Sequence, residues 1–268
     1  MKIKNLLGIS VLAVATTACV TNPITGRKSI QVMGNQQIAT MATEQYNQTL
    51  TKAKVIKGTK EATQVRNVGV RLQNAAHNYY KSIGRQNDLS SFQWEFNLLE
   101  DKAVNAWCMP GGKVAVYTGI LPVTKDDNGM AVVLGHEISH ALAGHGNERI
   151  SQASIAQYGG AILGGAISSS QWSQIFAQAY PIGAQAVLLK YGRKQELEAD
   201  EMGLYIMAMA GYDPRGAVPF WERMASISGQ NRQPDFLSTH PNPENRRADL
   251  QRNMPRALEY YKAAGGKL

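Results

Sequence analysis

The segment His136-Glu137-Ile138-Ser139-His140 constrains this chain more than any other, because it places two imidazoles four residues apart with a carboxylate between them. On an α-helix, side chains at positions i and i+4 project from the same face, so both imidazoles can reach one metal ion. Glu137 lies at the edge of that face, where it can accept a proton from a water molecule on the metal. The segment therefore predicts a zinc-binding helix with His136 and His140 as ligands and Glu137 as general base.

The alternative is a surface helix that carries two histidines and a glutamate by chance, because so short a motif is only moderately specific. The flanking residues oppose this alternative, since their helical spacing predicts a largely buried helix. The apolar residues are Met130, Val132, Val133, Leu134, Ile138, Ala141 and Leu142. Unpaired polar groups are costly inside a protein, and a metal ion would satisfy the two imidazoles.

A second acidic segment supplies the best candidate for a third metal ligand. Glu196 and Asp200 are four residues apart and therefore share one helix face. Catalytic zinc sites combine three protein ligands with one open position, so we expect Glu196 to complete the ligand set. Asp200 is expected to accept the second ring N–H of a ligand histidine and fix its tautomer. Gly203 extends this face, and its missing side chain allows the histidine-bearing helix to approach closely.

Other polar residues near these segments are predicted to lie outside the metal site. The alternative for the acidic segment is a solvated helix that pairs with its basic neighbours, and Glu198 and Glu201 fit that description. His145 lies nine residues after His136, which is about half a turn out of phase on an α-helix. We therefore interpret His145 as a helix-end residue that does not bind the metal.

Four motifs in order make the chain similar to peptidase family M48. Two are the segments at 136–140 and 196–203, and a third covers 105–121, which resembles the strand–turn–strand that precedes the metal helix in this family. The fourth is Ser238-Thr239-His240-Pro241 followed by Arg246. The family includes HtpX-type and CAAX prenyl endopeptidase-type zinc metallopeptidases, and the chain most resembles its small OMA-like periplasmic lipoprotein members.

The resemblance implies a zincin-like α+β fold, mainly helical, with a small antiparallel sheet next to the metal helix, and one Zn²⁺ per chain. It also implies that His240 and Arg246 lie near the metal. His240 would either stabilise the reaction's oxyanion or occupy the open zinc position at rest. Extended substrate backbone is expected to pair with an edge strand of the sheet, and we favour the strand that carries Asn105 and Ala106.

The sequence allows more than one local structure for two segments. The family usually has acidic residues where Asn128-Gly129 stand, and because glycine weakens a helix, the metal helix is predicted to begin nearer Met130. The glycine-rich segment 159–167 is too short to span a bilayer. We expect it to pack against the core as a helix of small residues, with a mobile lid as the alternative.

The first residues resemble a bacterial lipoprotein signal. Lys2 and Lys4 precede an uncharged, mostly apolar run over residues 6–18, which is short for a membrane span, and Cys19 follows directly. We expect cleavage before Cys19 and attachment of lipid to its thiol. Thr16 stands where leucine is usual in such signals, so a plain secretory signal is the alternative.

Length and composition fit one catalytic domain behind this signal. The predicted units are the signal peptide at 1–18, a lipidated cysteine with a tether at 19–33, and the zinc metallopeptidase domain at 34–268. Cys108 is the only other cysteine and is predicted to be a buried thiol.

The net charge of +8 is dispersed along the sequence, and basic residues do not alternate with aromatic ones in any segment. This pattern argues against nucleic acid as a partner and suits a surface near anionic lipid.

These observations predict a zinc-dependent endopeptidase, lipid-anchored on the periplasmic side of a bacterial membrane, that degrades misfolded or misassembled envelope proteins. Val20 stands where an aspartate would retain a lipoprotein in the inner membrane, so the outer membrane is favoured. The expected partners are protein or peptide substrates and the membrane, and the oligomeric state stays open. Two rival functions are a membrane-tethered chaperone or assembly factor and a zinc hydrolase of non-peptide envelope bonds.

Overall fold

A computed structural model of the chain describes residues 18–159, 167–180, 191–227, 235–241 and 245–268. The predicted signal residues 1–17 and the glycine-rich residues 160–166 lie outside the described residues. The helices of the described part are α1 (Asn35–Lys52), α2 (Lys60–Ser82), α3 (Leu121–Thr124), α4 (Asp127–Leu142), α5 (His145–Tyr158), α6 (Ser169–Ala179), α7 (Arg193–Met209), α8 (Ala217–Ile227), α9 (Asp235–Thr239) and α10 (Arg246–Ala263). Its strands are β1 (Cys19–Thr21), β2 (Lys28–Ile30), β3 (Val55–Ile56), β4 (Glu95–Leu99), β5 (Ala106–Met109) and β6 (Lys113–Tyr117).

The main sheet has four strands in the order β3-β4-β6-β5, so β5 forms one edge. A tight turn joins β5 to β6, and it uses Gly111 and Gly112 at φ values of 81° and 84°, which favour glycine. The predicted α+β fold, mainly helical with a small sheet, is confirmed. The sheet is mixed, because β6 turns back between β5 and β4 and thereby runs parallel to β4 while pairing antiparallel with β5.

Helix α2 packs an apolar stripe against β4, α4 and α7. Thr59 begins the helix by accepting a hydrogen bond from the backbone N–H of Ala62 at 3.1 Å. The buried residues that make the stripe recur at helical spacing and are Val65, Val68, Leu72, Ala75, Ala76 and Tyr80. This packing supports the metal helix α4 from behind and holds it next to the sheet.

The metal helix α4 begins at Asp127, earlier than the predicted start near Met130. The side chain of Asp126 accepts a hydrogen bond from the backbone N–H of Gly129 at 2.8 Å and thereby caps the helix. Glycine is also required at this position, since a Cβ on Gly129 would lie 2.0 Å from the carbonyl oxygen of Thr124. The cap offsets the low helix propensity of glycine, and the close approach to Thr124 explains why glycine stands at this position.

The chain before α1 is folded, although residues 19–33 were expected to form a tether. Strands β1 and β2 pair antiparallel, and we call residues 19–30 the N-terminal hairpin. Its loop packs on α7, where the side-chain amide of Asn22 donates to Glu198 at 2.9 Å, and Ile24 lies in the main core. None of the helices in the described part of the chain is both long and apolar enough to cross a bilayer.

Candidate metal centre

Helices α4 and α7 bring the three predicted ligands together in the protein interior. The Nε2 atoms of His136 and His140 are 3.1 Å apart. The carboxylate of Glu196 lies 3.5 Å from Nε2 of His136 and 3.4 Å from Nε2 of His140. All three side chains are at most 2% exposed. The i, i+4 spacing on α4 and the crossing of α7 thus place two imidazoles and one carboxylate around one point.

His240 adds a fourth donor to this group. It follows the short helix α9, and its Nδ1 lies 3.2 Å from Nε2 of His136 and 3.0 Å from Oε1 of Glu196. Its ring stacks on Phe236 with a centroid distance of 4.5 Å, and it is fully buried. One donor atom from each of the four side chains lies within 4.8 Å of all the others.

The residues present fit a zinc ion. Three imidazole nitrogens and one carboxylate oxygen are a donor set that zinc prefers. Oε1 of Glu137 and Nε2 of His240 are buried without a hydrogen-bond partner, and they lie 3.4 Å from each other. Buried polar atoms are normally paired, so two such atoms beside a cluster of ligands indicate a site for a metal ion and its reactants.

Glu137 occupies the interior next to this donor group. Burial raises its pKa to about 7, against the opposing effects of the His240 imidazole and a hydrogen bond from the backbone N–H of Cys108. A carboxyl group with a pKa near neutrality can both accept and return a proton under ordinary conditions. This property suits the predicted role of Glu137 as general base.

Asp200 and Arg246 surround the ligands with a second layer of hydrogen bonds. The carboxylate of Asp200 lies 2.9 Å from Nδ1 of His136, which leaves Nε2 of that ring directed towards the donor group. The Arg246 guanidinium donates from Nε to Asp200 at 2.6 Å and from Nη2 to Glu196 at 2.8 Å. It also lies 3.8 Å above the ring of Trp221. Arg246 is therefore placed to hold both carboxylates.

Glu198 and His145 were not predicted to take part, and the prediction that Glu198 faces water is wrong. Glu198 is 5% exposed, and its carboxylate lies 2.8 Å from Nε2 of His145. Nδ1 of His145 in turn lies 2.8 Å from Nδ1 of His140, so a buried chain of contacts reaches a predicted ligand from the side opposite the donor group. His145 begins α5 and does not end α4, because Gly144 adopts a φ of 67° that breaks the helix.

The predicted substrate strand, β5, lies at the edge of the sheet. The carbonyl of Asn105 accepts a hydrogen bond from the backbone N–H of Tyr117. In an antiparallel pair every second residue bonds to the neighbouring strand, so the backbone groups of Ala106 and Cys108 point away from β6. The side chain of Asn105 accepts from the N–H of Ala106 at 2.9 Å. The backbone N–H of Cys108 meets Glu137, and its thiol is buried as predicted.

Comparison with known proteins identifies the family. The model described as "Peptidase family M48" matches residues 67–254, which include all four candidate donors. The chain belongs to peptidase family M48. The predicted resemblance is therefore confirmed, and zinc is the metal that this family uses.

Relatives of this M48 chain include mitochondrial proteases. "Mitochondrial metalloendopeptidase OMA1" of Schizosaccharomyces pombe is 34% identical over 178 residues, which are 66% of this chain and 51% of the relative. "Metalloendopeptidase OMA1, mitochondrial" of Homo sapiens is 30% identical over 251 residues, 89% of this chain and 46% of the relative. The "Putative beta-barrel assembly-enhancing protease" of Vibrio cholerae is 29% identical over 188 residues, 68% of this chain and 38% of the relative. The chain thus spans about half the length of these relatives, or less.

The predicted location is corrected by these relatives. The sequence suggested a periplasm-facing lipoprotein of a bacterial envelope, preferentially at the outer membrane. The better-matching relatives, from two yeasts, human and Arabidopsis thaliana, are mitochondrial proteins by name. The prediction of a bacterial outer-membrane location is therefore wrong. Its basis was a short N-terminal pattern, most of which lies outside the described residues.

Proposed function

We propose that this chain is a zinc-dependent endopeptidase that cleaves extended segments of unfolded or misassembled proteins. The observation that carries the proposal is the buried pair of unpartnered atoms, Oε1 of Glu137 and Nε2 of His240, next to the donor group. Such atoms are costly unless a reactant meets them, and a peptide carbonyl with an attacking water offers partners for both.

Each residue of the site has its own role in peptide hydrolysis. His136, His140 and Glu196 would hold the zinc ion, which would supply a Lewis acid for polarising the scissile carbonyl and acidifying water. Glu137 accepts the proton of the attacking water and returns it to the leaving amine. The backbone N–H of Cys108 steadies the carboxylate of Glu137 during this exchange.

We place substrate binding at β5, the strand at one edge of the main sheet. The N–H groups of Ala106 and Cys108 already donate to Asn105 and Glu137, whereas their carbonyl groups, which point away from β6, can accept from an extended chain, as in other proteins that add a peptide strand to a sheet. The Cys108 backbone contact with Glu137 brings that edge to the predicted general base. A folded protein rarely offers an extended strand, which favours unfolded segments as substrates.

His240 has two candidate roles. Its Nδ1 lies among the donor atoms, which supports a resting ligand that leaves when substrate enters. Its Nε2 lies near Glu137, which supports a donor to the oxyanion. Arg246 acts through the carboxylates that it holds, since it donates hydrogen bonds to Glu196 and Asp200.

Lipid attachment at Cys19 is the second part of the proposal. The thiol is exposed at the start of β1, whereas that of Cys108 is buried. A lipid at this position would hold the folded domain beside a bilayer, and the net charge of +8 would favour an anionic surface. Mass measurement of the mature N-terminus, together with membrane fractionation of Cys19→Ser, tests this part. A soluble wild-type protein with an unmodified Cys19 would contradict it.

A substrate panel separates the proposal from its rivals. We expect the purified, zinc-loaded protein to fragment an unfolded protein at internal peptide bonds and to leave cell-wall fragments intact. A chaperone or assembly factor would instead suppress aggregation without producing fragments, and Glu137→Gln would not alter that effect. A hydrolase of non-peptide bonds would act on the cell-wall fragments alone.

A further inference from the structure

A buried chain of contacts connects His140 to the N-terminal hairpin. Nδ1 of His140 lies 2.8 Å from Nδ1 of His145, and Nε2 of His145 lies 2.8 Å from the carboxylate of Glu198. Both histidines are at most 1% exposed, and Glu198 is 5% exposed. His136 has a simpler arrangement, in which Asp200 contacts the ligand ring directly.

The chain fixes the position of every ring proton. The carboxylate of Glu198 is surrounded by donors and can only accept, so Nε2 of His145 carries the proton that it donates. A neutral His145 then has a lone pair on Nδ1, which accepts the Nδ1 proton of His140. This leaves Nε2 of His140 unprotonated, and that is the atom which faces His136 and Glu196. The network therefore specifies the tautomer of His140 that binds a metal.

The N-terminal hairpin holds the far end of this chain. Oε1 of Glu198 accepts from the amide of Asn22 at 2.9 Å and from the hydroxyl of Thr25 at 2.5 Å, and Oε2 accepts from Nε of Arg27. The two terminal nitrogens of Arg27 donate to both carboxylate oxygens of Glu148 at 2.8 Å each. A bidentate pair of this kind fixes the orientation of the guanidinium as well as its distance.

Docking of the hairpin neutralises part of a buried acidic pair. Glu148 lies on α5 and Glu198 on α7, and Arg27 contacts both. Without Arg27, two carboxylates would remain in a largely buried setting with fewer donors, which is unfavourable. Glu198 would then be free to shift away from His145.

We propose that the N-terminal hairpin is a positioning element of the metal centre: Arg27 orients Glu198, Glu198 sets the tautomer of His145, and His145 sets that of His140. The inference rests on the proposed zinc site. It implies that the segment which precedes the catalytic helices controls how tightly the metal is held. Displacement of the hairpin would therefore weaken zinc binding from a distance.

Zinc affinity of the full chain, measured by competition with a chromogenic chelator, tests the inference without any assay of proteolysis. Arg27→Met keeps much of the side-chain volume and removes the charge, and His145→Phe removes both ring nitrogens. We expect each variant to bind zinc about 10 to 100-fold more weakly, as is typical when a partner of a ligand is lost. Lys54→Ala is the control, because it breaks an exposed ion pair with Glu100, neither residue of which belongs to the chain of contacts, and it should bind zinc normally.

The double variant distinguishes a connected chain from two independent effects. If Arg27 acts through His145, the double variant should lose no further zinc affinity. It should bind zinc about as tightly as whichever single variant, Arg27→Met or His145→Phe, binds it less tightly. If the losses of zinc affinity in the two single variants multiply in the double variant, the inference is overturned. Wild-type zinc affinity in Arg27→Met would also overturn it. Should Arg27→Met fail to fold, Thr25→Ala removes one hydrogen bond to Glu198 and should weaken zinc binding several-fold, while unchanged affinity would again overturn it. Absence of zinc binding in the wild-type chain would instead refute the proposed function.

Discussion

Gly203 of α7 faces Gly135 of α4 so closely that a Cβ on Gly203 would lie 2.9 Å from the carbonyl carbon of Gly135. The same Cβ would lie 2.9 Å from the backbone nitrogen of His136. The two helices that carry the ligands therefore cross backbone to backbone. This crossing sets the distance between Glu196 and the two imidazoles.

Gly203→Ala should push these helices apart. We expect it to destabilise the fold by about 1–3 kcal/mol, the usual cost of overpacking, and to weaken zinc binding. Gly34→Ala is the control, because a Cβ on Gly34 meets nothing within 4 Å. Urea unfolding and zinc competition of both variants provide the measurement. Equal stability and affinity in Gly203→Ala and wild type would contradict the role given to the crossing.

Glu196→Ala should release most of the zinc. The carboxylate is the only acidic member of the donor group found among the described residues, and removing it leaves imidazoles alone. Metal analysis after dialysis against a weak chelator measures the occupancy. Wild-type occupancy would mean that another residue, such as His240, replaces it as the third ligand.

Asp200→Asn should keep the fold but lower zinc affinity or activity by roughly 10 to 100-fold. Asparagine retains the shape of the side chain while weakening its contacts with His136 and Arg246. Circular dichroism checks the fold, and chelator competition measures the affinity. If both affinity and activity match the wild type, Asp200 does not orient the ligand.

His240→Ala separates the two roles of this imidazole by the sign of its effect. If His240 stabilises the oxyanion, kcat should fall by roughly 10² or more. If it occupies the zinc site at rest, basal proteolysis should rise. Initial rates on an unfolded substrate, at matched zinc content, provide the measurement. Wild-type turnover would mean that His240 only packs against Phe236.

The pH dependence of stability should change in Glu148→Gln. Burial raises the pKa of Glu148, but hydrogen bonds from Arg27 and Gln195 outweigh it and hold the pKa below its ordinary value of 4.5. Such a carboxylate stabilises the fold above its unfolded-state pKa, and that contribution is lost as the pH falls through the lower folded-state pKa. The variant should therefore be less stable than wild type at pH 7, and the gap should shrink below pH 4.5.

Urea unfolding of the metal-free proteins between pH 7 and about 3 measures this gap without interference from zinc. Glu100→Gln is the matched control, because Glu100 pairs with Lys54 on the surface, where ion pairs contribute little. A gap for Glu148→Gln that stays constant with pH would show that Glu148 is not held as a carboxylate by Arg27.

Local spacing in the sequence was sufficient to predict the metal helix and the acidic segment, because i, i+4 pairs place side chains on one helix face whatever surrounds them. Glu198 shows the limit of this reasoning. Its partners Asn22, Thr25 and Arg27 lie more than 170 residues earlier in the chain, and no local pattern links them. The hairpin was interpreted as a tether for the same reason.

The start of α4 shows a second limit. Propensity alone disfavours Gly129 near a helix start, yet Asp126 caps the helix through the backbone N–H of residue 129, and the close approach to Thr124 requires glycine there. His145 was placed by helical phase along α4, but the helix ends at Leu142 and a new helix reorients the ring. Tertiary contacts therefore decided the positions that helical periodicity misjudged.

The central claim is that zinc and Glu137 together hydrolyse peptide bonds. The most direct test compares zinc-loaded wild type with Glu137→Gln at equal zinc content, using mass spectrometry to identify new termini in an unfolded protein. We expect wild type to cut at internal peptide bonds and Glu137→Gln to be slower by about 10²–10⁴-fold, the usual contribution of a general base. Equal cleavage by both proteins, or no cleavage by a zinc-loaded wild type, would contradict the account.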